Sequence, residues 1–387
     1  MVTRPFRILL FALLASALVC AFGALWSVRE GAGRFATAQR LVLYESGREF
    51  FNDFYMPWKC ANEGWKGIAY ETYESPDGRS LVMNQVDRCY PPLAMVYHRL
   101  VPWSNVAAAV FSFGSGALFL LALFVVFRRA APDAGPGSVA LALAACVLSS
   151  PFVFSLERAN PIFLSAAAAA IFLAWHDASS RRLRLIAAAA LAVAAVLKIA
   201  PAVLGVLYLR RRDWKGAALS AAIALVLFAV PFVWFEGVDG FRAWFANAAE
   251  HGRVMASHSA FGFVPFIRAE RILFGMDWRI GMKGWTLVGQ SLGLVALIGV
   301  FAVPSRASAV LCAVLALLLL PGNMMFYGAL YLLPVLLMRA KEMDRVEAFA
   351  WFALLGAMQF PVGFSCLNRL LAAAAVIALI PLALRRK

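Results

Sequence analysis

Apolar segments follow one another along most of this sequence, and each is long enough, or nearly so, to cross a membrane as a helix, which takes about 20 residues. No segment alternates with a period of two, the pattern of a membrane β-barrel strand. The pattern predicts an all-α polytopic membrane protein, a bundle of about ten to twelve transmembrane helices. The candidate helices cover residues 8–27, 105–127, 138–155, 161–176, 183–197, 199–209, 216–235, 286–302, 307–320, 324–338, 347–360 and 366–384.

Two long segments interrupt the apolar pattern, residues 28–104 and 236–285. They do not resemble each other, and the chain shows no internal repeat. We therefore expect one transmembrane domain over residues 1–387, in which both long segments are loops on the same side of the membrane.

The segment 183–209 is basic at both ends, yet its apolar part is too short for two full crossings. Two short helices that meet at the sequence "KIAP" satisfy both facts, because Pro201 favours a turn there. Lys198 then lies part-way into the membrane. A lysine at that depth costs about 2.5–3.5 kcal/mol on insertion scales and usually faces a cavity or a partner. It is either a lysine that reaches up to the surface or an anion ligand, and we favour the ligand.

Composition agrees with a membrane protein, since 63% of the 387 residues are hydrophobic and only 15% are charged. The net charge of +15 comes largely from short breaks between helices. Positive short loops are typical of the cytoplasmic side, so both termini are predicted to be cytoplasmic and no nucleic-acid partner is expected. These clusters are Arg4 and Arg7; Arg128 and Arg129; Arg181, Arg182 and Arg184; Arg210, Arg211, Arg212 and Lys215; Arg306; Arg339, Lys341 and Arg345; and Arg385, Arg386 and Lys387.

Motifs of soluble nucleotide and zinc enzymes are missing from the sequence. It contains no GxxxxGK[ST] loop, no HExxH and no Cys/His spacing typical of zinc. Cys60 and Cys89 both lie in the first long loop. In an oxidising compartment they could form a disulfide, and two free thiols are the alternative.

The first long loop contains "EFFNDFYMPWKCANEGW", residues 49–65, in which one carboxylate, Asp53, lies among aromatic residues. Aromatic residues are common at membrane surfaces, which accounts for part of this composition. Aromatic faces also suit sugar rings and isoprenoid chains, and a membrane-surface belt does not require Asp53. A carboxylate in this place is therefore a candidate for chemistry.

Candidate anion ligands come from two further places on the same predicted side. The turn "SLERANP" carries Arg158, and the second long loop carries His258 and Arg268 among other cations. Arginine is suited to phosphate because its planar guanidinium can donate two parallel hydrogen bonds. The alternatives are a local ion pair in the turn and a solvated or lipid-facing surface in the loop.

Several short motifs, in this order, resemble the GT-C glycosyltransferases, and most closely glycosyltransferase family 87, whose members are polyprenyl-phosphate-mannose-dependent α-mannosyltransferases. The resemblance covers about residues 45–340 and implies a GT-C-type bundle with a long first periplasmic loop. The motifs are "NDFYMPWKCA", "YPPL", "LERANP" and "AVLKIAPAVL" before "YLRRRDWKGA".

The resemblance implies a role for each matching residue. Asp53 matches the catalytic carboxylate of the family, which would deprotonate the acceptor hydroxyl. Lys198 and Arg158, with Arg268 next, would bind the donor phosphate. The pocket residues would be Tyr55, Tyr90, Asn160, His258 and Tyr327. No metal or other cofactor is implied.

The chain departs from the family pattern in three places. The Gly-Gln-x-Asn turn of the family corresponds to Glu157–Asn160, and its Lys-Pro-x-Pro turn corresponds to Lys198–Pro201. Where the family often has a histidine after a short outer turn, this chain has "PGNMMFYGALYLLP" with Tyr327. His251 and His258 are the candidates to replace that histidine.

The function expected from the resemblance is transfer of one sugar, mannose or another hexose or pentose, from a polyprenyl-phosphate donor to a lipid or glycan acceptor. The expected location is a bacterial inner (plasma) membrane, with the site facing the periplasm and in contact with membrane lipids. Two other functions fit the sequence. One is a transporter or flippase of lipid-linked sugars, which usually has internal repeats and a site near the midplane. The other is a catalytically degenerate envelope-assembly protein.

Overall fold

The computed structural model describes residues 2–29, 53–54, 58, 61, 71–74, 80–83, 90–101, 104–255, 281–321, 324, 326–359 and 365–384. Within these residues the protein is helical, apart from one short hairpin in the first long loop. In this hairpin Glu71–Glu74 pairs antiparallel with Ser80–Met83. The all-α prediction is thus confirmed for the body of the protein, and the loop adds two strands.

The first half of the described chain forms seven helices of 8 to 26 residues. Their bounds are α1 Arg4–Arg29, α2 Pro92–Leu100, α3 Asn105–Ala130, α4 Pro136–Val147, α5 Ser150–Glu157, α6 Ile162–Trp175 and α7 Arg181–Leu197. The second half continues with a 3-10 helix Ala200–Gly205, α8 Val206–Arg210, α9 Trp214–Ala229, a 3-10 helix Val230–Trp234, α10 Gly237–Met255, α11 Gly281–Ala302, α12 Arg306–Leu319, a 3-10 helix Phe326–Tyr331, α13 Leu332–Met338, α14 Arg345–Gln359 and α15 Ser365–Leu384.

Two helical segments of the described chain are long and apolar enough to cross a membrane, Asn105–Ala130 and Trp214–Trp234. A third is obtained if the bent pair α4 and α5 counts as one span. The protein is therefore a helical membrane protein. Six shorter apolar helices also lie in the bundle, and the total of ten to twelve crossings stays a prediction.

The crossing predicted over residues 138–155 is covered by two helices, α4 and α5, and the chain bends by 58° between them. Pro151 lies in the first turn of α5, and a proline cannot donate the backbone hydrogen bond that would continue α4. Helix α5 leads into the turn at residues 158–161, and this turn contributes Arg158 and Asn160 to the candidate site.

The two short helices predicted around "KIAP" are confirmed. Helix α7 ends at Leu197, and the next helical turn begins at Ala200. Lys198 has extended backbone angles, φ −150° and ψ 108°. The chain therefore reverses at Lys198, and residues 181–210 go to one end of the bundle and return.

Helix α6 lies at the centre of this part of the fold, packed between α3 and α7. Its buried face is rich in alanine, with Ala166, Ala169 and Ala170 at most 1% exposed. Small side chains let helix backbones approach closely, which is the usual basis of helix packing in membranes. One end of α6 follows the turn of Arg158 and Asn160, and its other end leads to Asp177. Its 14 residues separate the two ends by about 21 Å.

Candidate active site at one end of helix α6

The turn between α5 and α6 has an unusual backbone conformation. Ala159 has a φ of 51°, a region that costs a non-glycine residue about 1–2 kcal/mol. Hydrogen bonds hold it there, since the backbone N–H of Ala159 donates to the oxygen of Leu156 and that of Asn160 to the oxygen of Ser155. The residues on either side of Ala159, Arg158 and Asn160, both reach the same carboxylate.

That carboxylate is Asp53, which the sequence analysis singled out. Its Oδ1 accepts a hydrogen bond from Arg158 at 2.8 Å, and its Oδ2 accepts one from the side-chain amide of Asn160. Its backbone N–H donates to the oxygen of Arg158 at 3.1 Å. Three contacts thus fix Asp53 on a turn more than a hundred residues away in the sequence.

Asn160 also fixes the first turn of α6. Its Oδ1 accepts from the backbone N–H of Ile162 at 2.9 Å, while its Nδ2 donates to Asp53. Because one end of the amide accepts and the other donates, only one orientation satisfies both contacts. The side chain is therefore held with its N–H toward the carboxylate.

Asp53 and Arg158 are largely removed from solvent, with side chains 11% and 15% exposed. Charges in such an environment are costly unless they are paired and hydrogen-bonded. Here one cation and one amide share the two oxygens of the carboxylate. A carboxylate has about four lone-pair sites, so each oxygen can still accept a hydrogen bond from a substrate.

The neighbour of Asp53, Phe54, anchors this part of the loop. Its ring is fully buried and lies 4.6 Å from the ring of His98, 5.5 Å from Phe111 and 6.1 Å from Tyr97, measured between centroids. Burial lowers the pKa of His98 to about 3, so the imidazole is neutral at physiological pH. The aromatic cluster therefore holds the position of Asp53 through packing.

Two further contacts attach the loop to helix α2 and the residue that follows it. Arg99 donates to the backbone oxygen of Ala61 at 2.7 Å, and the indole N–H of Trp58 donates to that of Val101 at 3.1 Å. The described residues of the segment 53–61 are thus held at several points.

Lys198 lies in an aromatic environment formed by Tyr90 and Tyr327. Its Nζ is 4.7 Å from the ring centroid of Tyr90 and 5.3 Å from that of Tyr327. An ammonium group over an aromatic face gains about 0.5–2 kcal/mol, depending on how far it is removed from water. Two aromatic rings thus position this half-buried cation.

Phe154 connects the two groups of residues. Its ring stacks on Tyr327 at 6.3 Å with an interplanar angle of 13°, and the guanidinium carbon of Arg158 lies 5.6 Å from its centroid. Asp53, Arg158, Phe154, Tyr327 and Lys198 are therefore linked through consecutive contacts. The sequence analysis did not identify Phe154, although it precedes Arg158 by four residues, one helical turn.

Six of the predicted site residues are brought together in this way: Asp53, Arg158, Asn160, Lys198, Tyr90 and Tyr327. Tyr55, His258 and Arg268 lie outside the described residues, as do Cys60 and Cys89, so their roles stay predictions. Among the described residues, no three histidine, cysteine or acidic side chains converge where they could hold a metal ion. The expected independence from metals also stays a prediction.

Comparison with known protein families matches residues 89–326 to glycosyltransferase family 87. This match covers more than half of the chain. The chain belongs to glycosyltransferase family 87. Comparisons with curated proteins and with solved structures give no match.

Membership of family 87 identifies the protein as a glycosyltransferase, with a sugar donor and an acceptor as its substrates. The matched region includes Tyr90, Arg158, Asn160 and Lys198, and it ends one residue before Tyr327. Asp53 precedes it. Since the matched residues Arg158 and Asn160 bind Asp53 directly, the contacts link the carboxylate to the family region.

Proposed function

We propose that the protein transfers one sugar from a polyprenyl-phosphate donor to a hydroxyl group of a lipid or glycan acceptor, with Asp53 as the general base. The observation that carries this proposal is the arrangement of Asp53, bound by Arg158 and Asn160, in contact through Phe154 and Tyr327 with a second cation, Lys198.

Asp53 is suited to accept a proton from the acceptor. A hydroxyl group that donates to a remaining lone pair of the carboxylate would lose its proton to Asp53 as its oxygen attacks the anomeric carbon. The bond from that carbon to the phosphate oxygen breaks, and its electron pair leaves with the polyprenyl phosphate. A single displacement of this kind inverts the configuration at the anomeric carbon. Base catalysis of this type contributes about 10²–10⁴-fold to rate.

Lys198 is suited to the negative charge that develops on the leaving phosphate. Donors aimed at developing charge in a site that excludes water often supply the largest part of catalysis. The planar guanidinium of Arg158 is suited to phosphate oxygens, to which it can donate parallel hydrogen bonds. Arg268 stays the third candidate for this role.

A membrane-surface location supports a lipid-linked donor. The arginine-rich turns lie at the other end of α6 from Asp53, and a positive loop side is usually cytoplasmic. The candidate site would then face the periplasm of a bacterial inner (plasma) membrane. In that place the phosphate and sugar reach Asp53 while the isoprenoid tail stays among membrane lipids.

The test is transfer of label by purified protein in detergent. Radiolabelled polyprenyl-phosphate sugars, mannose first, are mixed with a lipid extract of the source cells as acceptor, and the label and anomeric configuration of the product are followed. We expect wild type to transfer sugar with inversion and Asp53→Asn to lose at least a hundredfold of the rate while still binding donor. A matched control is Asp239→Asn, because Asp239 is an exposed aspartate, 60% exposed, in α10.

The outcomes separate the alternatives. Equal transfer by wild type and Asp53→Asn would remove Asp53 from its role as base. Donor binding without transfer by wild type would instead favour a transporter of lipid-linked sugars or a degenerate family member. Loss of activity in Asp239→Asn as well would show that the assay reports on general damage to the protein.

A further inference from the structure

A second carboxylate, Asp177, lies at the opposite end of α6 and meets three arginines. Arg129 donates to its Oδ1 at 2.8 Å, Arg306 approaches its Oδ2 with Nε at 2.7 Å, and Arg211 lies 3.6 Å from Oδ2. These arginines come from the end of α3, the start of α12 and the turn after α8. We call the four residues the Asp177 cluster.

The charges of the Asp177 cluster do not balance, because one carboxylate faces three guanidinium groups. Arg306 is used further, since it also donates to the backbone oxygens of Leu173 and Ala174 at the end of α6. Arg211 is the least engaged of the three. Its distance from Asp177 exceeds that of a hydrogen bond, and its side chain is 42% exposed. The cluster therefore carries positive charge in excess at a surface that other molecules can reach.

Tryptophans place this surface at the depth of lipid headgroups. The membrane-crossing segment Trp214–Trp234 begins and ends with tryptophans that are 64% and 63% exposed. Its 21 residues span about 30 Å, the thickness of the hydrocarbon core. Exposed tryptophans mark the two membrane–water interfaces. Arg211 lies three residues before Trp214 and is therefore at the level of the lipid phosphates.

The turn that carries Arg211 is held in one conformation. Arg212 has a φ of 57°, which is uncommon outside glycine and costs energy unless neighbouring contacts maintain it. The side chain of Asp213 accepts from the backbone N–H of Gly216 at 2.9 Å and caps α9. Arg210 donates to the backbone oxygens of Val303 and Pro304. These contacts hold the backbone of the turn, so that Arg211 lies on a fixed backbone beside Asp177.

We propose that the Asp177 cluster binds the phosphate group of an anionic membrane lipid, on the face of the protein opposite the candidate active site. Guanidinium groups match phosphate oxygens with parallel hydrogen bonds, and the excess charge complements an anion. The site is independent of sugar transfer. A phosphate could also come from a soluble molecule, but the exposed Trp214 beside the cluster favours a lipid.

The test uses native mass spectrometry of the full-length protein in a neutral detergent. The probe is phosphatidylglycerol, which is anionic, and the reference is phosphatidylcholine, which is zwitterionic and has no net charge. We expect Arg211→Gln to weaken phosphatidylglycerol binding about fivefold, the usual effect of one basic residue at a membrane surface. The control Arg182→Gln removes the same charge from an exposed arginine in the first turn of α7 and should leave binding unchanged.

For Asp177→Asn we expect the opposite change in lipid affinity from that of Arg211→Gln. Removal of the competing carboxylate should strengthen phosphatidylglycerol binding, whereas a purely structural ion-pair cluster would lose stability and gain no affinity. Melting temperatures in detergent show whether each variant is folded. If Asp177→Asn does not fold, the comparison of Arg211→Gln with Arg182→Gln decides alone.

Three outcomes would overturn the proposal. Equal weakening by Arg211→Gln and Arg182→Gln would mean that the lipid follows the diffuse surface charge. Binding of phosphatidylcholine as strong as that of phosphatidylglycerol would remove the role of charge. Displacement by glycerol phosphate at the same concentration as the lipid would assign the site to soluble phosphates.

Discussion

An aspartate pairs with arginine at each end of helix α6, but the residues around the pair differ between the two ends. At one end Asp53 has one cation, Arg158, and one neutral donor, Asn160. At the other end Asp177 has three arginines. Among the described residues, one guanidinium group contacts the carboxylate at the first end and three do so at the second.

This difference teaches that an ion pair does not by itself mark a catalytic site. The end with Asp53 is distinguished by what surrounds the pair. Its turn is held at the positive φ of Ala159, and a second cation, Lys198, lies nearby on two aromatic rings. These features fix a carboxylate and a positive charge relative to each other. The Asp177 cluster instead offers a surplus of charge at an exposed surface.

The largest effect should come from removal of Arg158, which among the described residues is the one cation that pairs with Asp53. Arg158→Gln leaves a buried carboxylate without its charge partner, which costs about 3–5 kcal/mol in comparable buried pairs. We expect the low end of this range, because Asn160 still donates to Asp53. Sugar transfer should fall at least a hundredfold. Melting in detergent and the transfer assay measure the two effects.

The matched variant at the other end is Arg129→Gln. Asp177 keeps Arg306 and Arg211, and the lost pair is 29% exposed on the arginine side, so the cost should be under about 1 kcal/mol. Transfer should be unchanged. If Arg158→Gln and Arg129→Gln destabilise the protein equally, the number of arginines around each aspartate does not determine the cost of losing one.

The next effect concerns Lys198, which we expect to bind the donor phosphate. Lys198→Gln keeps a long polar side chain but removes the charge. A hydrogen bond to a charged group contributes about 1.5–3 kcal/mol, so the KM for donor should rise about 10- to 100-fold. Lys215→Gln, at the exposed start of α9, is the control. If the KM for donor is the same in Lys198→Gln and wild type, the lysine has a structural role.

Features of the fold that follow from local sequence were predicted correctly. The two basic ends of residues 181–212, separated by too few apolar residues for two crossings, required a reversal, and Lys198 lies at that reversal. The apolar pattern likewise gave the positions of α6 and α7. Such inferences work because they depend on length and charge within one segment.

Features that depend on distant contacts were not predictable in the same way. The pairing of Asp53 with Arg158 joins residues 105 positions apart, and nothing in either segment specifies the other. The bend between α4 and α5 was missed because apolar residues continue through it. The arginines of the Asp177 cluster were assigned to the positive side, but their shared partner was not identified. In each case tertiary packing selects among several locally acceptable arrangements.

A smaller, pH-dependent effect concerns the buried histidine at the end with Asp53. Burial lowers the pKa of His98 to about 3. Because this pKa falls below the value of 6.5 for an exposed histidine, the unfolded chain takes up the proton first. Stability is therefore fully present above pH 6.5 and falls as the pH decreases toward the folded pKa.

His98→Phe should remove the contribution of His98 to the fall in stability at low pH. For one such histidine the loss between pH 7 and pH 5 is about 2 kcal/mol. Melting temperatures in detergent at both pH values measure it, with His176→Phe as the variant at the other end. A pH dependence identical in wild type and His98→Phe would show that His98 does not contribute.

The smallest effect tests the strained turn itself. Ala159→Gly removes the penalty of about 1–2 kcal/mol for a positive φ, but it loses about 0.8 kcal/mol of methyl burial and adds about 0.5–1 kcal/mol of unfolded-state entropy. The net change should be close to zero. Ala166→Gly, equally buried inside α6, has the two losses without the gain and should cost about 1–2 kcal/mol. Melting of both variants in detergent gives the difference. An equal cost for both would mean that the backbone at Ala159 is not strained, and the fixed geometry of Arg158 and Asn160 around Asp53 would then need another explanation.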